Sequence, residues 1–243
     1  MGDEHARGTA PVRWGIREAI ASFAIGVLLS ALFAGIAESA INYHAVKGKP
    51  MPIAVTIAGL IGLWIGLGGG VVYAARFRGS GSVETDFGLR FHWPHDLAVG
   101  AVAGLASQYA LIPLLYLPFE HLDSTLRHRL EQQAKDVTRA AHGGLQVTLL
   151  FIFLAIGAPV VEELFFRGLL FRSLRRRFGP TVAVVGSAVL FGLAHFEPLQ
   201  LPALILFGLV LGVLAEKSGR LGPGIVAHAV FNAATVLSLT LFR

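Results

Sequence analysis

Two adjacent carboxylates, Glu162 and Glu163, stand with Arg167 in the middle of a long apolar run, Pro159-Val160-Val161-Glu162-Glu163-Leu164-Phe165-Phe166-Arg167-Gly168. A second apolar run ends in Phe191-Gly192-Leu193-Ala194-His195, and a third carries His228-Ala229-Val230-Phe231-Asn232. Carboxylates and imidazoles are the usual carriers of general acid–base chemistry. An ionisable group at the centre of a bilayer-crossing helix costs about 2.5–3.5 kcal/mol on insertion scales, and such groups mark functional sites by default. The structural alternatives are an interhelical hydrogen bond for a lone His or Asn, and a clamp for a Glu–Arg pair.

Helical geometry sorts these side chains. Glu163 and Arg167 are four apart, so they share a face and can pair. Glu162 is rotated by about 100° from Glu163 and is free for other work. His228 and Asn232 are also four apart and face one way. Phe191 sits one turn from His195, where it could shield the imidazole. At about 1.5 Å rise per residue, Glu162 lies ~15 Å from the flank at Arg172, His195 ~22 Å from Pro180, and His228 and Asn232 ~10 and ~16 Å from Leu221. The polar groups therefore fall in one band near mid-membrane, which points to Glu162, His195, His228 and Asn232 as one shared site.

The elements that must position them are membrane helices. Of the 243 residues, 54% are hydrophobic and 14% charged, with a mean hydropathy of +0.66. Soluble domains carry roughly 25% charged residues, so the natural solvent is lipid. Apolar runs lie at about 18–41, 52–75, 97–118, 145–171, 181–196, 200–215 and 222–242. A span takes about 20 residues, so the expected fold is all-α: a polytopic bundle of about seven transmembrane helices. The fifth and sixth runs are short and are expected to be tilted or partial helices. The domain reading is a polar cytoplasmic segment, 1–17, followed by one transmembrane domain, 18–243, with the motif-bearing core at 145–242. The first apolar run is read as a retained helix, not a cleaved signal.

Charge fixes the expected orientation. With the N-terminus inside, twelve Lys and Arg flank the inner ends and seven the outer ends, with Arg167 left within a span. That bias favours a cytoplasmic N-terminus. The net charge of +5 is spread over the ends of apolar runs, which implies contacts with membrane lipids and no nucleic-acid partner. Cysteine is absent, which excludes disulfides and thiol catalysis. Glycine pairs at Gly62/Gly66, Gly66/Gly70, Gly100/Gly104 and Gly208/Gly212 are expected to seat helices closely inside the bundle, and say nothing of oligomeric state.

The three motifs, in this order and spacing across residues 159–232, resemble the signature of the intramembrane glutamic proteases of the CAAX-protease and bacteriocin-processing family: E-E-x-x-x-R, then F-x-x-x-H, then H-x-x-x-N or B. The resemblance implies helices around a water-accessible intramembrane cavity with peptide hydrolysis inside it. Glu162 would act as general base on a water that His195 also holds, with no metal. His228 and Asn232 would donate hydrogen bonds to the oxyanion. Glu163 and Arg167 would orient Glu162 or contact substrate, and Phe191 would support His195. Two His and a Glu can also hold zinc, but H-E-x-x-H is missing and Asn is a poor ligand, so no cofactor is expected. The expected partner is a peptide or membrane-protein substrate. The alternative is a non-catalytic immunity or regulatory protein that binds a peptide or membrane partner. The Ala-, Gly-, Val- and Arg-rich composition suits a bacterial plasma membrane.

Overall fold

The computed structural model describes residues 12–44, 50–130, 132 and 143–241. Residues 1–11 of the polar N-terminal segment, and 131 and 133–142 of the loop at 120–143, lie outside the described residues. Helices stand at every one of the seven apolar runs: α1 (Ile16–Ala40), α2 (Ile53–Arg78), α4 (His95–Leu122), α5 (Gly144–Phe178), α6 (Pro180–Leu193), α7 (Leu201–Ser218) and α8 (Gly222–Leu241), with a short α3 (Val83–Phe87) between α2 and α4. Of these, α1, α2, α4, α5 and α7 are long and apolar enough to cross a membrane. The protein is a polytopic helical membrane protein.

The fifth run forms only 14 helical residues, about 21 Å at 1.5 Å per residue and short of a full span. Helix α6 begins directly after Gly179, whose φ of 85° suits glycine and turns the chain back from the end of α5. It then packs closely on α7: a Cβ on Gly208 would lie 2.9 Å from Ala188 Cα.

Glycine sets the other tight contacts too. On α2, a Cβ at Gly62 would strike the Leu29 carbonyl, one at Gly66 would strike Gly26, and one at Gly70 would strike Ser22 Oγ. Ser22 also donates to the Gly66 carbonyl at 2.9 Å. Gly100 and Gly104 of α4 seat the Val226 and Ala227 region of α8 in the same way. All four glycine spacings thus serve packing within the chain, as expected from close backbone approach in lipid.

Helix α5 is the spine of the bundle and is not regular. It carries π-helical turns at Ile152–Gly157 and Leu164–Leu170, on either side of the Glu162-Glu163 pair. Pro159 has no N–H to give to the carbonyl four residues back and its ring crowds that turn, so the helix widens just before it. Helix α4 shows the same association, with a π turn at Ser107–Leu111 ahead of Pro113. The core is packed around α5, with Phe165, Leu169, Phe191, Phe207 and Leu211 among its buried side chains.

The glycine contacts yield a paired expectation. Gly66→Val should lower the thermal midpoint of the detergent-purified protein by several degrees, since overpacking typically costs about 1–3 kcal/mol. Gly69→Ala, where the new Cβ meets nothing within 4 Å, should leave it unchanged or slightly raised. Fluorescence-detected thermal unfolding reads both, and equal effects would contradict the α1–α2 packing described.

Candidate active site

At the centre of the bundle an ion pair is sealed from solvent. Glu163 and Arg167 are each fully buried, and Arg167 Nη1 donates to Glu163 Oε1 at 2.9 Å. Arg167 Nη2 donates to the Gly208 carbonyl on α7 at 3.0 Å. The guanidinium also lies over the Phe191 ring, 4.6 Å from its centroid, a cation–π contact strengthened by desolvation. Arg167 therefore ties α5 to α6 and α7.

His228 of α8, only 3% exposed, stands between the two carboxylates. Its Nδ1 is 3.4 Å from Glu163 Oε1 and its Nε2 3.8 Å from Glu162 Oε2. The rings of Phe191 and Phe207 meet His228 edge-on, at 5.6 and 5.4 Å between centroids. An imidazole walled by aromatics has few orientations open to it.

Glu162 and Glu163, neighbours in sequence, occupy different environments. Glu162 lines a cavity of about 440 Å³ together with His195, Phe166, Ala194 and residues of α1 and α2 such as Phe23, Ser30 and Leu63. Its Oε2 has no hydrogen-bond partner among the described residues. Glu163 faces the packed interior instead. The 100° rotation between the two side chains, inferred from helix geometry, thus separates a cavity-facing carboxylate from a sealed one.

His195 is not inside a helix. Helix α6 ends at Leu193 and His195 lies in the turn that follows, before Phe196 at a φ of 55°. The relation to Phe191 survives: the two rings are 4.7 Å apart and His195 Nδ1 is 2.8 Å from the Phe191 carbonyl. A carbonyl can only accept, so Nδ1 carries the proton and Nε2 of the neutral ring is the acceptor. Asn232 Nδ2 donates to the Leu154 carbonyl at 2.8 Å, within the first π turn of α5. The structure therefore links Glu162, Glu163, Arg167 and His228 by direct approach, and brings His195 to the cavity beside Glu162. Asn232 is joined to α5 through Leu154.

Three contributors were missed from sequence. Gly208 supplies the carbonyl for Arg167. Phe207 walls His228. Gly224 gives Glu163 its room, since a Cβ there would lie 2.9 Å from Glu163 Oε2. The Gly208/Gly212 spacing signalled a close approach but not its partner, and Gly224 stood in no motif.

Comparison with known proteins meets the geometry at the same segment. Residues 144–234 match the family model described as type II CAAX prenyl endopeptidase Rce1-like. Over this segment, little more than a third of its length, the chain is similar to that family. A protein of Bacillus subtilis (strain 168), described as "Putative membrane peptidase YdiL", is 29% identical over 91 residues, 37% of each chain. The similarity thus covers little more than a third of either protein, all helices from α5 onward in the family match. No solved structure matches. The matched segment holds all seven residues singled out by the motifs, together with Gly208, Phe207 and Gly224.

The sealed pair predicts a double-mutant signature. Arg167→Met alone leaves Glu163 as an uncompensated buried charge and should cost about 3–5 kcal/mol. Adding Glu163→Gln should recover most of that loss. Unfolding curves in detergent measure the cycle, and additive losses would contradict the pairing.

Proposed function

We propose that the protein is an intramembrane endopeptidase in which Glu162 and His195 activate a water for attack on a peptide bond. The observation that carries this reading is the division of labour between the adjacent carboxylates. Glu163 is tied up by Arg167, whereas Glu162 opens onto the cavity that His195 also lines. The similarity of residues 144–234 to the Rce1-like family supports a peptidase.

The chemistry follows from donors and acceptors. A water in the cavity can donate one O–H to Glu162 and the other to Nε2 of His195, leaving an oxygen lone pair for the scissile carbonyl carbon. Glu162 takes the proton as the C–O bond forms, and returns it to the departing amine nitrogen as the C–N bond breaks. The oxyanion between those steps needs donors. We assign these to the second amide hydrogen of Asn232, the first being held by Leu154, and to His228 with both ring nitrogens protonated, Nδ1 toward Glu163 and Nε2–H left for the oxyanion. Such donors typically contribute about 3–4 kcal/mol each. Phe191 and the Glu163–Arg167 pair position His195, His228 and Glu162. The substrate is a peptide or membrane protein able to enter a largely apolar cavity.

The metal-free form of the mechanism rests on donor chemistry. Glu163 Oε1 is already shared with Arg167, and the Asn232 amide nitrogen is a poor metal ligand. The test is cleavage of a panel of fluorogenic and lipidated peptides by detergent-purified wild type and Glu162→Ala, with and without chelator. Loss of the general base should lower turnover by at least about 100-fold, with activity kept in chelator. Chelator-sensitive cleavage would assign the site to a metal. Equal cleavage by wild type and variant would refute the role given to Glu162.

A further inference from the structure

A second pocket opens at the far end of α5, about 16 Å along the helix from Glu162 to Ser173. It encloses about 480 Å³ where the start of α1, the end of α2 and the end of α5 meet. Its lining carries five arginines, Arg13, Arg17, Arg78, Arg176 and Arg177, against one carboxylate, Glu18. Glu18 is taken by Arg78 at 3.2 Å. Arg176 donates to the Trp14 carbonyl at 2.6 Å and stacks 3.5 Å over the Trp14 ring. Arg13, Arg17 and Arg177 are exposed, and their guanidinium groups make no hydrogen bond or ion pair among the described residues. The Trp14 indole N–H, on a side chain 5% exposed, is likewise without a partner among them. Concentrated donors and positive charge with no acceptor in reach are suited to an anion.

The position in the bundle says which anion. Three membrane helices terminate here, at the depth where headgroups lie. Next to the pocket runs an apolar groove of about 360 Å³ between α1, α5 and α6, lined by Ala19, Ile20, Phe23, Ala24, Phe166 and Leu170 among others. The two are continuous along both helices that share them. On α1, Ile16 and Arg17 of the pocket are followed one turn on by Ile20 and then Phe23 and Ala24 of the groove. On α5, Phe166, Leu170, Ser173 and Arg177 form one stripe at helical spacing. The groove is wall for an acyl chain, and the pocket is a seat for the phosphate at its head.

We propose that this pocket and groove form a binding site for an anionic phospholipid, its phosphate held by Arg13, Arg17 and Arg177, and one acyl chain lying between α1 and α5. The arginine pocket lies away from Glu162 and His195, whereas the groove shares Phe23, Phe166, Ala194 and Phe196 with their cavity; the test reads lipid binding and needs no peptidase activity.

The experiment is binding of short-chain phosphatidylglycerol and phosphatidylcholine to the delipidated full chain in detergent, read by native mass spectrometry and by tryptophan fluorescence. Phosphatidylglycerol should bind at least about tenfold more tightly than phosphatidylcholine, each basic residue near a headgroup being worth about fivefold. The triple change Arg13→Gln, Arg17→Gln, Arg177→Gln should abolish that preference. A charge-matched control, Arg76→Gln, Arg90→Gln, Arg129→Gln, should keep it. Ala24→Trp, which fills the groove, should weaken phosphatidylglycerol and leave inorganic phosphate untouched. Inorganic phosphate binding as tightly as the lipid, and indifferent to the groove, would mean a free-phosphate site and overturn the proposal. So would equal affinity for the two lipids, or a preference that survives the triple change in a variant whose thermal midpoint matches wild type.

Discussion

The structure around the candidate site depends on one desolvated ion pair. Burying Glu163 and Arg167 costs several kcal/mol per ion before their attraction and hydrogen bonds offset it. Glu163 Oε2 and Arg167 Nε have no hydrogen-bond partner among the described residues, while the chain supplies three compensations: a 2.9 Å Glu–Arg bond, the Gly208 carbonyl and the Phe191 ring. Each partner comes from a different helix, so forming the pair also fixes how α5, α6 and α7 stand to one another. His228 from α8 is drawn into the same arrangement by its 3.4 Å approach to Glu163. Hydrophobic attraction between helices is weak in lipid, and polar contacts and close packing carry proportionately more of the specificity.

Once Glu163 is committed to the pair, its neighbour is left over. Glu162 is turned away from Arg167 and lines the cavity, its Oε2 buried and, like Glu163 Oε2, without a hydrogen-bond partner among the described residues. A helix that kept strict α geometry through Pro159 would crowd the carbonyl at Ala155. The π turns on either side absorb that mismatch and free the Leu154 carbonyl to meet Asn232. The irregularity of α5 and the placement of the polar groups therefore have a common cause in local sequence.

Much of this was legible before the structure. The Glu163–Arg167 pair follows from a spacing of four, and the opposed faces of Glu162 and Glu163 from 100° per residue. The positions of the seven helices follow from hydropathy. Other features were not legible because they depend on which helices become neighbours. Gly224 leaves space for a carboxylate 61 residues away in sequence, and nothing local marks it. The Gly208 carbonyl becomes an acceptor only when α7 lies against α5. His195 was read at the end of an apolar run; the 14-residue α6 stops two residues earlier, and it is the turn beyond that presents the imidazole to the cavity. Residue types and periods report on a helix and its own faces, whereas pairing between helices is decided by packing.

The central claim is that adjacent carboxylates in one helix have been divided into a water-facing group and a sealed one. The chain contains no cysteine, so single-cysteine accessibility can be read without background. Glu162→Cys, and Glu163→Cys made together with Arg167→Met so that no buried charge is stranded, would be treated with a small charged thiol reagent in detergent. Thiol reactivity follows exposure and access to the thiolate. The account predicts modification at position 162 at least about tenfold faster than at position 163. Equal rates, or faster modification at 163, would contradict it.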